Sequence, residues 1–150
     1  MRGFASAFSM RLPLKTEYAC QVLAQLASRH ASGEVRQVEE LAAAERLSPN
    51  YLVQILTALR QAGLVISRRG KNGGYLLARE PSEITLAEIA LATEGGALIE
   101  SSPGNGGESA GRVHEAWVRA NEALTRCCAE IPLTDLIPPP LESDSVDWVI

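Results

Sequence analysis

Cysteine is scarce in this chain. Its three copies, Cys20, Cys127 and Cys128, make an odd count and show neither the paired spacing of a zinc site nor a secreted disulfide framework. A reducing compartment is expected. Histidine is scarcer still, and His30 and His114 have no evident catalytic partners. No glycine-rich phosphate loop and no nucleophile–base pairing can be identified, so enzymatic chemistry has no constellation to carry it. Long apolar runs are also missing. The stretch from Leu86 to Thr93 is broken by Glu88 and falls far short of a membrane span, and residues 1–10 lack the apolar centre of a signal peptide. A cytoplasmic protein is expected, with one modest domain and an appendage in its 150 residues.

The most informative absence is local. Between Arg46 and Arg79 there is no Asp or Glu, while six basic residues occur: Arg46, Arg60, Arg68, Arg69, Lys71 and Arg79. The whole chain has 14 basic and 18 acidic residues, so the remainder holds 8 basic residues against all 18 acids. Overall acidity would disfavour a polyanionic partner if charge were evenly spread, but a field of one sign confined to one region attracts and orients such a partner. Nucleic acid is the candidate.

Periodicity places this window on a helix followed by a basic hairpin. Residues 1–9 show no pattern, and a second methionine, Met10, leaves them as a loose extension or an over-called start. From Thr16 to about His30, Tyr18, Ala19, Val22, Leu23, Leu26 and Ala27 recur at helical spacing, with Gly33 as the stop. A short helix is predicted from Val38 to Ala44, then a tight turn through Glu45 and Arg46. Arg46 stands where many helix-turn-helix units have glycine, so it adopts a left-handed conformation or the turn is longer. Ser48 is placed to cap a third helix with Pro49 at its first position. Leu52, Ile55, Leu56 and Leu59 form its core stripe, and Gly63 ends it. Val65-Ile66-Ser67 and Tyr75-Leu76-Leu77 read as strands flanking a Gly-rich turn, followed by a helix from Leu86 to Thr93.

Residues 95–111 carry six glycines with Ser, Pro and Asn, and read as a flexible loop. A long helix is predicted over about Glu108 to Glu130. Val113, Trp117, Ala120, Leu124, Cys127 and Ile131 alternate spacings of four and three, which makes a heptad seam. Such a seam on a terminal helix packs on a partner or lies against its own domain. One more helical turn is predicted over Leu133–Ile137.

This order of elements resembles the Rrf-two family of bacterial winged-helix transcription regulators, the IscR, NsrR, RirA and CymR type. The resemblance runs from Met10 to about Ile137. It is carried by Ser48-x-x-Tyr51-Leu52, by Leu59-Arg60-x-Ala62-Gly63-Leu64-Val65-x-Ser67, and by Arg69-Gly70-x-x-Gly73-Gly74-Tyr75-x-Leu77-Ala78. Ile84-Thr85-Leu86-x-x-Ile89 and Glu94-Gly95 add the next helix and its end. The implied fold class is mainly α: a winged helix-turn-helix DNA-binding domain over residues 10–95, a Gly-rich loop over 96–111, a dimerisation helix region over 112–137 and a Pro-rich spacer and tail over 138–150.

A recognition helix enters the major groove by its first turns. Here those turns carry Ser48, Asn50, Tyr51 and Gln54. Asn and Gln can read adenine through paired donor and acceptor, and Tyr51 can bond a phosphate while its ring packs beneath. The plainer reading is that Ser48 is a cap and Tyr51 a core residue. Family members often have a larger polar side chain where Val53 stands, so a base contact there is lost or becomes apolar. Arg60 lies later on the helix, and Arg68, Arg69 and Lys71 at the hairpin tip can reach a minor groove or its phosphates. The resemblance implies double-stranded DNA as partner, a homodimer through the seam, and repression at a palindromic operator.

Many relatives hold an iron–sulfur cluster with three cysteines from the loop before the long helix. Residues 95–111 have neither Cys nor His, so no cofactor is expected. His114 and Glu17 fall where some relatives have further ligands, and both read as ordinary polar residues once the thiolates are missing. After Pro138-Pro139-Pro140 the tail ends Trp148-Val149-Ile150. That end resembles the tails by which serine acetyltransferases insert a terminal isoleucine into cysteine synthase, an enzyme that CymR-type regulators are known to partner. The alternative function is therefore a winged-helix module for protein contacts, one example being capture of cysteine synthase through Ile150. The other reading of the tail is that it is unstructured or folds onto its own dimer.

Overall fold

The computed structural model describes residues 11–95, 97–102 and 104–138. The N-terminal extension and the tail with Trp148, Val149 and Ile150 lie outside the described residues.

Helix α1 spans Leu14–Ser28 and starts directly after Pro13, whose carbonyl accepts from Glu17 N–H at 3.1 Å. It begins two residues before the predicted start, which the apolar stripe does not mark because Leu14 is exposed. The helix ends at Ser28, two residues short of the predicted end near His30, and a 3-10 turn, His30–Ser32, follows, which Gly33 closes in the left-handed conformation at φ 68°. Helix α2 covers Val38–Glu45. Arg46 follows at φ 57°, ψ 45°, the left-handed alternative of the two that the sequence left open. That conformation costs a residue with a Cβ about 1–2 kcal/mol. Hydrogen bonds from Arg46 N–H to Ala43 O and from Leu47 N–H to Ala42 O offset the cost by satisfying carbonyls of the last turn.

Helix α3, Pro49–Gln61, starts as predicted: Ser48 is extended, and its hydroxyl accepts from the Tyr51 N–H at 3.2 Å. Leu52, Ile55, Leu56 and Leu59 are fully buried, and Gly63 takes φ 78° past the helix end. Strands β1 (Val65–Arg68) and β2 (Gly74–Leu77) pair antiparallel, with Val65 opposite Leu77 and Arg68 opposite Gly74. Val65 and Leu77 are buried in the core, and Ile66 and Ser67 are exposed. A third segment joins the wing: Arg36 and Tyr75 exchange both backbone hydrogen bonds, at 2.9 and 2.8 Å.

Helix α4 spans Leu86–Glu94, capped by Thr85, whose hydroxyl accepts from Glu88 N–H. Helix α5 spans Ala110–Ala129 and has no buried residue. The chain then turns back along the start of α4. Leu86 N–H donates to Ile131 O at 3.0 Å, Leu133 N–H donates to Ile84 O at 2.7 Å, and Leu133 is fully buried. Residues Leu133–Leu136 form a 3-10 turn where a further helical turn was predicted. One core cluster takes side chains from α1, α2, α3, both strands, α4 and Leu133. Among the described residues no helix is long and apolar enough to cross a membrane. Mainly helical with one small two-stranded sheet, the chain has the architecture the motifs implied.

Candidate nucleic-acid interface

The turn at Arg46 sets α3 against α2 with the first turns of α3 at the surface. Ser48, Asn50 and Gln54 are exposed there, and Val53, 41% exposed, adds an apolar side chain to the same turns. The Ser48 hydroxyl accepts the cap bond, which leaves its own O–H to donate. Tyr51 is half-buried, and its ring meets Tyr18 of α1 edge-on, centroids 5.9 Å apart at 85°. The two readings of Tyr51 are thus compatible: its ring braces α3 on α1 while part of the side chain stays open to solvent. Pro49 has no N–H and that of Tyr51 is taken by the cap, so in this first turn the Asn50 N–H, with the helix dipole, is what remains to favour phosphate.

Beside α3 stands the wing. Arg68, Arg69 and Lys71 are exposed around a tight turn closed by Gly73 N–H to Gly70 O at 3.0 Å. A Cβ on Gly73 would come 2.3 Å from Arg68 O, so only glycine fits that turn. Arg60 reaches from the last turn of α3 to the wing, donating to Ser67 Oγ at 3.4 Å. Among the described residues, none of Arg60, Arg68, Arg69 and Lys71 has a carboxylate partner. Their charge therefore points outward undiminished.

Arg79 belongs to the same basic window but is neutralised from outside it. Its guanidinium donates to both oxygens of Glu88, at 2.9 and 3.2 Å, and to Glu83 O. It braces the start of α4 instead of facing a ligand. Sequence reasoning missed Arg36. Its guanidinium is 6% exposed, donates to Glu40 Oε1 at 2.7 Å and reaches Gln25 O and Oε1 at 3.4 and 3.5 Å. The i,i+4 spacing of Arg36 and Glu40 was a visible signal for the ion pair, but the backbone pairing with Tyr75 was not.

The second surface is α5. Val113, Trp117 (46% exposed) and Leu124 (36%) lie open along it with Val118, and Cys127 is exposed while Ala120 is half-buried. Ile131 lies past the helix end, on the segment hydrogen-bonded to Leu86, because Pro132 disfavours helical backbone in the residue before it. At the other side, the Asn121 Oδ1 accepts from the N–H groups of Leu98 and Ile99, both at 3.0 Å, and holds part of the glycine-rich loop on α5.

These features coincide with one family. The family model described as Rrf2, iron-dependent transcriptional regulator, matches residues 12–139. The chain belongs to the Rrf2 family. An HTH-type transcriptional regulator of Mycobacterium tuberculosis is 46% identical over 86 residues, covering 57% of this chain and 53% of that protein, so the match spans about half of that relative's length. CymR of Bacillus subtilis is 34% identical over 132 residues, 85% of this chain and 89% of its own. The solved structure of CymR, the global cysteine regulator of B. subtilis, superposes with a TM-score of 0.70 at 32% identity, covering 85% of this chain and 96% of the other. That of IscR from T. potens gives 0.69 at 28% identity, covering 96% and 94%. The Rrf2 relatives are transcriptional regulators, not enzymes.

Iron dependence in the family description raises the question of donors. Iron–sulfur centres are held mainly by thiolates. In this chain the loop before α5 has none. His114 Nδ1 lies 3.4 Å from Ser101 Oγ, and among the described residues no three His, Cys, Asp or Glu side chains gather as a metal site would require. Burial pushes the Cys20 thiol up to about 11 and raises that of Cys128, opposing the thiolate form that iron needs. These residues do not fit a cluster.

Proposed function

We propose that the chain is a cytoplasmic, homodimeric repressor that binds a palindromic DNA operator and works without an iron–sulfur cluster. The observation that carries this reading is the pairing of a capped α3, with Asn50 and Gln54 exposed on its first turns, with an adjacent wing tip whose three cations lack carboxylate partners. In the division of labour proposed, Asn50 and Gln54 read bases, Ser48 and Tyr51 orient the helix on phosphate, and Arg60, Arg68, Arg69 and Lys71 engage the backbone or minor groove. Two copies joined through α5 would present their recognition helices to half-sites about one helical turn apart.

A salt-titrated binding assay on the region upstream of its own gene tests the proposal. Asn50→Ala and Gln54→Ala are each expected to cost about 1–3 kcal/mol on the preferred site and little on mixed-sequence DNA. Equal losses on both would remove base reading from these residues. Protein purified under anaerobic conditions is expected to carry substoichiometric iron and no visible absorption band; a stoichiometric, coloured preparation would overturn the cluster-free assignment.

The tail sequence supports a second reading. The apolar Trp148-Val149-Ile150 suits an apolar pocket on a partner, and cysteine synthase is the candidate. Pull-down by cysteine synthase is expected for the intact chain and not for one lacking Ile150. Equal capture of both, or of neither, rules this reading out.

A further inference from the structure

We propose that Arg36 is a positioning residue for DNA binding, holding the wing at a fixed angle to α3. Its backbone belongs to the wing, since its N–H and C=O both pair with Tyr75. Its side chain belongs to the body. The guanidinium turns inward, donates to Glu40 on the first turn of α2 and meets the Gln25 carbonyl and side chain on α1. Gln25 in turn donates through Nε2 to Glu45 at the end of α2, 3.1 Å away. One residue thus ties the wing to both helices that frame α3.

The fit at this junction is close. A Cβ on Gly74 would lie 2.4 Å from the Arg36 carbonyl oxygen, so the second wing strand approaches residue 36 as nearly as a backbone can. A buried guanidinium with a charge-assisted bond and further acceptors has few alternative placements. The wing tip, by contrast, is held by the pairing of Arg68 with Gly74, by its own turn and by the exposed bond from Arg60 to Ser67. Its angle is set at the base, and Arg36 is the side chain that sets it. Arg36 touches no DNA in this scheme; it acts through Arg68, Arg69 and Lys71, and so rests on the proposed role of the wing.

Two measurements on the intact protein test this. In the first, Arg36→Met and Glu40→Gln are each made in the natural background and in one where Arg68, Arg69 and Lys71 are alanine, and affinity for a mixed-sequence duplex is measured at low salt. In the natural background Arg36→Met should weaken binding roughly tenfold, in line with loss of a charged hydrogen bond, and Glu40→Gln by less. In the alanine background both effects should largely vanish. In the second, amide hydrogen exchange of Tyr75 should accelerate in Arg36→Met while that of Ile55 in the core stays put. Glu40 is half exposed, so its variant keeps the test available if Arg36→Met folds poorly. Full additivity of Arg36 and wing substitutions, or an unchanged Tyr75 amide, overturns the proposal while leaving the wing's DNA role intact. If the triple alanine variant itself binds like the natural protein, both the wing assignment and this inference fall.

Discussion

Replacing Arg68, Arg69 and Lys71 together with alanine is expected to weaken binding to every DNA sequence by on the order of a hundredfold or more near physiological salt. The three side chains are exposed and unpaired among the described residues, so they contribute little to folding, and circular dichroism and thermal midpoint should change little. Each phosphate contact releases condensed counterions. In a dimer six cations are lost, and the slope of log affinity against log salt should flatten by as much as about five. Because phosphates carry no sequence information, the ratio of specific to non-specific affinity should move far less than either affinity. An unchanged slope in the triple variant would remove the wing from the interface.

Leu124→Glu should give monomers at micromolar concentration. Leu124 sits on α5 in line with exposed Val113 and Trp117, an apolar face that the described chain does not itself cover. In the proposed dimer the side chain is buried near its symmetry mate, so the substitution buries two like charges without partners. Each costs several kcal/mol. The dimer dissociation constant should rise by at least a hundredfold, equivalent to about 3 kcal/mol. Sedimentation velocity reads the change directly. Operator affinity should fall with it, since two half-sites are no longer engaged at once. A variant that stays dimeric would place the interface elsewhere.

How far the sequence could be read depended on range. The cap at Ser48, the stripe Leu52, Ile55, Leu56 and Leu59, and the stop at Gly63 are decided within a few residues, and all three hold. The left-handed Arg46 was legible as one of two outcomes, because a non-glycine residue at that turn must either pay a local cost or lengthen the turn. What escaped was settled by partners far along the chain. Arg36 pairs with Tyr75 across 39 residues, and no local pattern marks it as part of the wing. Arg79 reads as a sixth free cation until Glu88, nine residues on, folds back onto it. Ile131 fits the heptad spacing, yet its position is governed by the Leu86 amide and by Pro132. For the candidate interface residues the sequence supplied types and order, while the fold added that Asn50 and Gln54 are exposed on α3 and that Arg60 bridges to the wing strand.

The return of the chain after α5 has a mechanical consequence. Leu133 is sunk in the core and hydrogen-bonded to Ile84, and Ile131 is bonded to Leu86, so the far end of α5 is fastened to the short stretch that joins the wing to α4. Asn121 fastens the loop on its near side. The helix is therefore a strut fixed at its end, and in the proposed two-fold assembly it would set the separation of the two proposed DNA-reading heads. Tilting α5 in that assembly would move the heads by a proportionate distance, converting a small adjustment at the symmetry axis into a change in the operator length the pair could span.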